Sequence, residues 1–363
     1  MKKLLLAATV ATLAMNAAQA APTLYGKLSV TLDNIDNNGF KDESVTKVNS
    51  NASRIGVKGE EKLTDNLSAV YLAEWEIWVD GDDVFKNRNR FVGIKSNGVA
   101  TLKVGQYDSY FKTAAGNNQD IFNDHNELDM TKVLVGEDRL TNVIGFETDK
   151  KLLGGLAFNI MFQQGEESEA ADSTAKGKEG SRDGFGDGVS ASLTYENKDM
   201  GLAAAVAANR AIASKFNAYS DLTGIYTDAV RVTGSLDLGA MGASGLVLGA
   251  LWQTAQPTDD TVTVTKGTPA VVTSYKGLQE DAFGVTAAYK IGATPVKLKA
   301  QYISATTESD GRDDRKQDLY GVGADYQINK QARFYGIVAQ QKRDWLTKDD
   351  KKTNIGLGME YNF

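Results

Sequence analysis

The stretch Ile355–Phe363 constrains this chain more tightly than any other. Ile355, Leu357, Met359, Tyr361 and Phe363 alternate with Gly356, Gly358, Glu360 and Asn362. Successive side chains of a β-strand point to opposite faces, so this is a strand with one apolar face and one polar or bare face. The same alternation opens the chain, where Leu24, Leu28, Val30 and Leu32 oppose Tyr25, Lys27, Ser29, Thr31 and Asp33. It recurs at 281–291, with Phe283, Val285, Ala287, Tyr289 and Ile291 set against Gly284, Thr286 and Lys290, and at 318–328, with Tyr320, Val322, Ala324, Tyr326 and Ile328.

Followed along the chain, the alternation predicts sixteen strands, at 23–33, 51–61, 66–78, 88–96, 99–107, 139–149, 154–164, 187–197, 200–209, 229–239, 243–254, 281–291, 294–304, 318–329, 331–342 and 353–363. Each is near the ~9–11 residues that a tilted strand needs to cross a bilayer. Two fit less well: 66–78 sets Val70 and Leu72 on the nominally polar face, and Gly and Ala blur 229–254. Short turns (Asn97-Gly98, Lys290 to Thr294, Asn329-Lys330) alternate with long polar segments at 34–50, 79–87, 108–138, 165–186, 210–228, 255–280, 305–317 and 343–352. Long connections on one side and short ones on the other are the habit of a transmembrane barrel. The expectation is therefore all-β, a 16-stranded antiparallel transmembrane β-barrel. The last strand, with Phe363, would pair with the first, because lipid cannot satisfy an open sheet edge.

Hydropathy agrees once the geometry is considered. No later stretch approaches the ~18 apolar residues of a membrane helix, the longest candidate being 201–208. Mean hydropathy is only -0.33, as suits a wall in which every second residue faces hydrocarbon. Gly is abundant, at 36, and Pro rare, at 4; Gly relieves crowding in curved sheets, whereas Pro removes a ladder donor. Lys2 and Lys3, the apolar run Leu4 to Ala14 and Ala18-Gln19-Ala20 read as a signal peptide over 1–20, leaving a barrel over 21–363.

Several classes of function fall away. With no Cys there is no disulfide, thiol catalysis or Cys-ligated metal. A net charge of -7 without a basic run argues against nucleic acid. The single histidine, His125, lies in the long segment 108–138, there is no G-x-S-x-G elbow, and neither a P-loop nor a dinucleotide fingerprint occurs. A lone loop histidine is expected at the surface. Asp33, Asp36, Asn37 and Asn38 near Gly39, and the Gly/Asp-rich 183–188, lack the spacing of a Ca²⁺ loop. No catalytic residue, cofactor or metal is expected.

At this point the sequence resembles the general (trimeric) porins of Gram-negative outer membranes. The resemblance is carried by Leu24-Tyr25-Gly26-Lys27, by Ser53-Arg54-Ile55-Gly56-Val57-Lys58-Gly59-Glu60, by Arg88 to Lys95, and by Arg139-Leu140-Thr141-Asn142-Val143. Asp183 to Tyr195, Tyr320 to Asp325 and Met359 to Phe363 extend it over nearly the whole chain. It implies sixteen antiparallel strands, a homotrimer in the outer membrane among lipid and lipopolysaccharide, and a third loop folded into the lumen.

Parity assigns the charges. A Lys or Arg facing lipid at mid-bilayer costs ~2–4 kcal/mol. Lys27 opposes Leu24 and Leu28, Arg54 opposes Ile55 and Val57, Arg88 and Arg90 share a face opposite Phe91, and Arg139 opposes Leu140. These five cations are expected as a basic ladder on the lumen wall. Lys27, Arg54, Arg88 and Arg139 match the family's ladder positions, and Arg90 is an addition. The loop 108–138 is too long to be a plain connection. Folded inward, it would set carboxylates against the ladder, with Asp120 and Asp124 the first choices and Glu127 and Asp129 the second; the Pro-Glu-Phe-Gly segment common in enteric members is absent. The function expected is a water-filled pore for ions and small hydrophilic solutes, weakly preferring cations because carboxylates are in excess. The rivals are an oligosaccharide channel, a barrel hydrolase and a secreted soluble β protein. Trp75, Trp78, Tyr107, Tyr110, Tyr289, Tyr361 and Phe363 are candidates for interfacial girdles, Tyr361 and Phe363 above the others.

Overall fold

The computed structural model describes residues 21–81, 85–122, 124–166, 182–266 and 270–363. The proposed leader, 1–20, lies outside the described residues. In chain order the strands are β1 (Thr23–Asp36), β2 (Val45–Ser50), β3 (Arg54–Lys62), β4 (Leu67–Ile77), β5 (Phe85–Ser96), β6 (Ala100–Asp108), β7 (Arg139–Thr148), β8 (Leu156–Gln163), β9 (Gly188–Asn197) and β10 (Leu202–Lys215). They continue with β11 (Thr223–Asp237), β12 (Leu246–Pro257), β13 (Thr261–Lys266), β14 (Val271–Lys276), β15 (Gln279–Lys290), β16 (Val296–Glu308), β17 (Arg315–Gln327), β18 (Ala332–Arg343) and β19 (Lys351–Asn362).

All pairings are antiparallel, and each strand of the wall neighbours the next. The ring closes where β1 meets β19, with Lys27 opposite Asn362 and Asp36 opposite Thr353. Because β2 and β3 occupy successive parts of one position beside β1, the wall is a closed 16-stranded barrel, as the alternation predicts. The hairpin β13–β14 is a separate two-stranded sheet in the connection between β12 and β15.

The structure amends the sequence reading in three ways. First, the strand expected at 51–61 is broken: Ala52 takes φ 48, β2 is recruited from the presumed loop 34–50, and Asn51 to Ser53 bridge the halves. Second, β10, β11 and β16 run on well past the apolar alternation. Main-chain pairing needs no apolar side chains, so the pattern fades before the ladder does. Third, Tyr107 and Tyr110 are 3% and 4% exposed and pack together with Leu140, Val143 and Met161. They are not girdle residues. Tyr289, Tyr361 and Phe363 remain exposed on the apolar side.

The exposed apolar residues include Leu32, Val92, Val104, Phe146, Val206, Val232, Trp252, Val285, Val322, Val338 and Leu357. They lie on every part of the wall, on the face opposite the charged parity, and form a hydrocarbon-facing belt. The buried apolar residues form no central core. They gather where residues of 108–138 rest on the other face of the wall: Phe111, Ala114 and Val135 on Ala205, Ala207, Ala229 and Ala255, and Phe122, Leu128, Met130, Val133 and Leu134 on Leu251, Ile303, Leu319, Tyr335 and Ile337.

Candidate functional site

The segment 108–138 has no strand pattern, and its polar backbone groups need partners. The wall supplies them from inward-parity side chains. Ser190 Oγ accepts from Phe111 N at 3.0 Å, and Glu280 Oε1 accepts from Val135 N at 2.9 Å. Gln253 donates to Val135 O at 3.0 Å, Gln301 to Leu128 O at 2.7 Å, Gln317 to Lys132 O at 2.8 Å and Gln341 to Glu127 O at 3.2 Å. Gly321 and Gly249 give the segment its seat. A Cβ on Gly321 would meet Leu128 Cδ2 at 2.5 Å, and one on Gly249 would collide with Asn118 O. Asn126 N donates to Asn51 Oδ1 at 3.0 Å and its side chain to Ser50 O at 3.0 Å, so the segment also fills the break between β2 and β3.

Of the four expected acids, one meets the ladder. Asp124, held at φ 68, places Oδ2 at 2.6 Å from both Lys27 Nζ and Arg54 Nη2, and Oδ1 at 3.7 Å from Arg88 Nη2. Burial alone would raise its carboxyl, but the three cations outweigh burial and hold it well below the usual carboxylate range. Glu127 pairs instead with Lys352, at 2.5 Å. Asp129 caps its own turn by accepting from Thr131 N at 2.8 Å. Asp120 Oδ1 is buried without a partner; burial first, then Asp129 and Glu137, push its carboxyl well above the usual range, and no described ion pair joins it to the ladder.

The basic wall is also modified. Lys27, Arg54 and Arg88 converge on Asp124. Arg139 lies two strands further on, at the start of β7, with Asp108 at 3.1 Å and Asn89 Oδ1 at 2.7 Å as its partners rather than Asp124. Arg90 is not on this face. Between the pairs Ala73–Arg90 and Trp75–Asn87, Glu74 stands opposite both Arg88 and Asn89. That β-bulge inserts one residue and inverts the parity beyond it. Arg90 therefore shares the outer face with Val92 and Ile94, and donates to Gln106 Oε1 at 2.7 Å. Phe91 points inward, its ring 4.9 Å from Lys103 Nζ.

Some partners of the ladder went unforeseen. Glu74 Oε1 and Glu76 Oε2 lie 2.7 and 3.3 Å from Arg88, and Tyr25 donates to Glu74 at 2.8 Å. Their signal was present: Glu74 and Glu76 share the parity of Val70 and Leu72, the residues that made this strand look irregular. A second charged array, Lys299, Asp325, Arg333 and Glu360, lies on β16–β19 with separations of 2.7–3.1 Å. Arg231, fully buried, pairs with Glu137 of the loop and stacks on Phe111 at 4.3 Å.

His125 is 5% exposed rather than superficial, packed edge-on to Tyr335 at 6.2 Å. Its Nδ1 accepts from Glu127 N at 3.2 Å. Burial lowers its pKa, so it stays neutral. No described serine hydroxyl is bonded to it. Among the described residues no group of three or more His, Cys, Asp or Glu is placed to hold a metal ion; Asp33 is taken up by Thr31, Asn49 and Asn354.

A barrel closed at β1–β19, apolar outside and charged inside, has the form of a membrane channel. The sequence profile of Gram-negative porins matches residues 6–345. The chain is a Gram-negative porin. This porin is 26% identical to the major outer membrane protein P.IB of Neisseria sicca over the full length of both chains. In structure it is similar to an anion-selective porin from Comamonas acidovorans, with a TM-score of 0.69 and 18% identity over 94% of this chain and 99% of that one. It is also similar to the trimer form of OmpT from Vibrio cholerae, with a TM-score of 0.61 and 16% identity over 94% and 99%. The porin is an outer-membrane channel and not an enzyme.

Proposed function

We propose that this porin is a passive diffusion pore for ions and small hydrophilic solutes whose narrowest zone is set by the loop 108–138 folded into the lumen. The single observation that supports this is Asp124 at 2.6 Å from Lys27 and from Arg54. A carboxylate on the loop facing cations on the wall gives a gap bounded by opposite charges, which sorts solutes by size and sign. Lys27, Arg54 and Arg88 form the basic side and Asp124 the acidic side; Glu127 and Asp129 hold the loop and Asp120 is buried, none of them lining that gap, and Arg139 extends the basic side.

The preference between small ions follows from what the pairing leaves over. Carboxylates exceed cations along the whole chain, and the cations of the gap are largely neutralised by Asp124, Glu74 and Glu76. We infer a weak cation preference, carried by carboxylates outside the gap. We further propose a leader over 1–20 that is removed, a homotrimer, and a belt in contact with outer-membrane lipid and lipopolysaccharide. An oligosaccharide channel is a weaker reading, because Phe91, Tyr107 and Tyr110 gather around Lys103 instead of lining a path.

Planar-bilayer recording tests the whole reading. Three equal conductance steps per insertion are expected for a trimer, and a KCl gradient should give a small reversal potential of cationic sign. Absence of steps would refute the pore, and a clear anionic sign would refute the preference.

A further inference from the structure

The inner parity of β17–β19 carries a cluster of cations that the gap does not use. Arg315, Arg343 and Lys352 lie near the long-loop ends of these strands, with Gln317 opposite Arg343 and Gln341 opposite Lys352. Two aromatic rings string the cations together. Trp345 has the guanidinium of Arg315 at 5.5 Å and that of Arg343 at 5.6 Å from its centroid. Phe40 has Arg343 at 4.2 Å and Lys352 at 5.8 Å. Lys132, exposed at the end of the loop, lies close enough to repel Lys352, as does Arg343.

What the cluster lacks is anions. Among the described residues, Glu127, paired with Lys352, is the sole carboxylate in ion-pair contact with any of the four. Arg315 donates to a carbonyl, Ala218 O, at 2.8 Å. Arg343 is half-buried, its side chain has no described hydrogen-bond acceptor, and its Nε is buried without a partner. Its cross-strand neighbour Gln317 spends its amide on Lys132 O. Unsatisfied donors on a partly buried cation are costly, and ring faces offset only part of the repulsion between the cations. A planar fork of free N–H donors flanked by further cations is the chemistry that takes an oxyanion bidentately.

We propose that Arg343, flanked by Arg315, Lys352 and Lys132, forms a loading site for carboxylate- or phosphate-bearing solutes on the long-loop side of the pore, ahead of the Asp124 gap. This rests on the pore reading and adds a solute class to it. It is compatible with a weak preference for K⁺ over Cl⁻, which reports the summed field of the channel and not one site.

The test is conductance of the full-length protein at fixed KCl, titrated with inorganic phosphate and, separately, with succinate, each added to one chamber at a time. Wild type should show saturable block by both anions from the long-loop side. Arg343→Gln should raise the half-blocking concentration about tenfold, and Arg343→Lys, which keeps the charge without the fork, by less. Block by one anion alone would narrow the site to that oxyanion. Unaltered step size without added anion certifies an intact pore; if Arg343→Gln gives no steps, Arg315→Gln, expected to weaken block in the same direction, decides instead. Absence of saturable block, or block unchanged in the variants, would overturn the site. Failure of wild type to give steps in KCl would sink the pore reading, whereas steps without block would sink this site alone.

Discussion

Lys27 Nζ and Asp124 Oδ2 lie 2.6 Å apart although 97 residues separate them in sequence. That contact joins the first strand of the barrel to the segment 108–138, at the place proposed above as the narrowest zone. Both side chains are about 10% exposed, so Asp124→Asn leaves three cations close together and largely shielded. Removing one partner of such a group costs about 3–5 kcal/mol. The loop should loosen at this end, with larger and noisier single-channel steps. The reversal potential should move toward anions by a few-fold in permeability ratio, equivalent to about 1 kcal/mol at aqueous screening. A variant indistinguishable from wild type in both readings would show that Asp124 does not line the gap.

The same pairing predicts how the channel responds to acid. The folded carboxyl of Asp124 lies below its unfolded value, so its stabilising effect is present above the usual carboxylate pKa and disappears only as pH falls through the depressed folded value. Single-channel conductance should therefore stay level as pH is lowered through the ordinary carboxylate range near 4, with loop release only in stronger acid. A transition at pH 4 that persists in Asp124→Asn would assign it to other acids.

Asp138 behaves in the opposite sense. Burial pushes its carboxyl up to about 6, against the bond that Ser214 Oγ donates to it. A raised folded value means that stability is fully present below the unfolded pKa and is lost as pH rises through about 6. Asp138→Asn should stabilise the barrel at pH 8 by about 1–3 kcal/mol and have little effect at pH 4. Thermal unfolding of the detergent-solubilised barrel at the two pH values measures the difference.

Arg231 holds the far end of the loop. It is fully buried and paired with Glu137; burial raises the Glu137 carboxyl, with Arg231 the main influence against it. Arg231→Leu should cost about 3–5 kcal/mol by stranding that carboxyl, and Arg231→Leu combined with Glu137→Leu should recover part of the loss. Unfolding midpoints in urea give the comparison; an uncompensated double variant would mean that packing on Phe111 dominates.

Arg88 and Arg90 differ by two residues and should differ in phenotype. Arg88→Ala removes a cation at 2.7 Å from Glu74 and should shift the KCl reversal potential toward cations. Arg90→Ala acts on the outer face and should leave it unchanged. Equal shifts would place both side chains in the lumen and remove the parity inversion.

These paired arginines also show what sequence can and cannot reveal. Because hydrocarbon outside and water inside impose opposite demands on neighbouring residues, alternation locates every wall strand except β2, which falls in the polar segment 34–50. Parity sets Lys27, Arg54 and Arg88 on the face away from Leu28, Ile55 and other apolar neighbours. It misplaces Arg90, because a bulge adds one residue without changing composition, and parity counted through Phe91 is wrong on one side of it. The break at Ala52 escaped for the same reason. The loop was harder still: with no period to read, Asp120, Asp124, Glu127 and Asp129 were equivalent as letters, and only the docked backbone separates the acid that meets the ladder from those that cap, hide or pair elsewhere.

The junction at Asn51 to Ser53, where one wall strand is cut in two and Asn126 fills the cut, has an architectural consequence. The loop is a keystone: the upper and lower halves of that stave are joined through it as well as along the chain. Trimming 108–138 to obtain a wider conduit would also withdraw Asn126 and Asp124 from that junction, leaving the two halves of the stave joined only by Asn51 to Ser53 and by their shared neighbour β1.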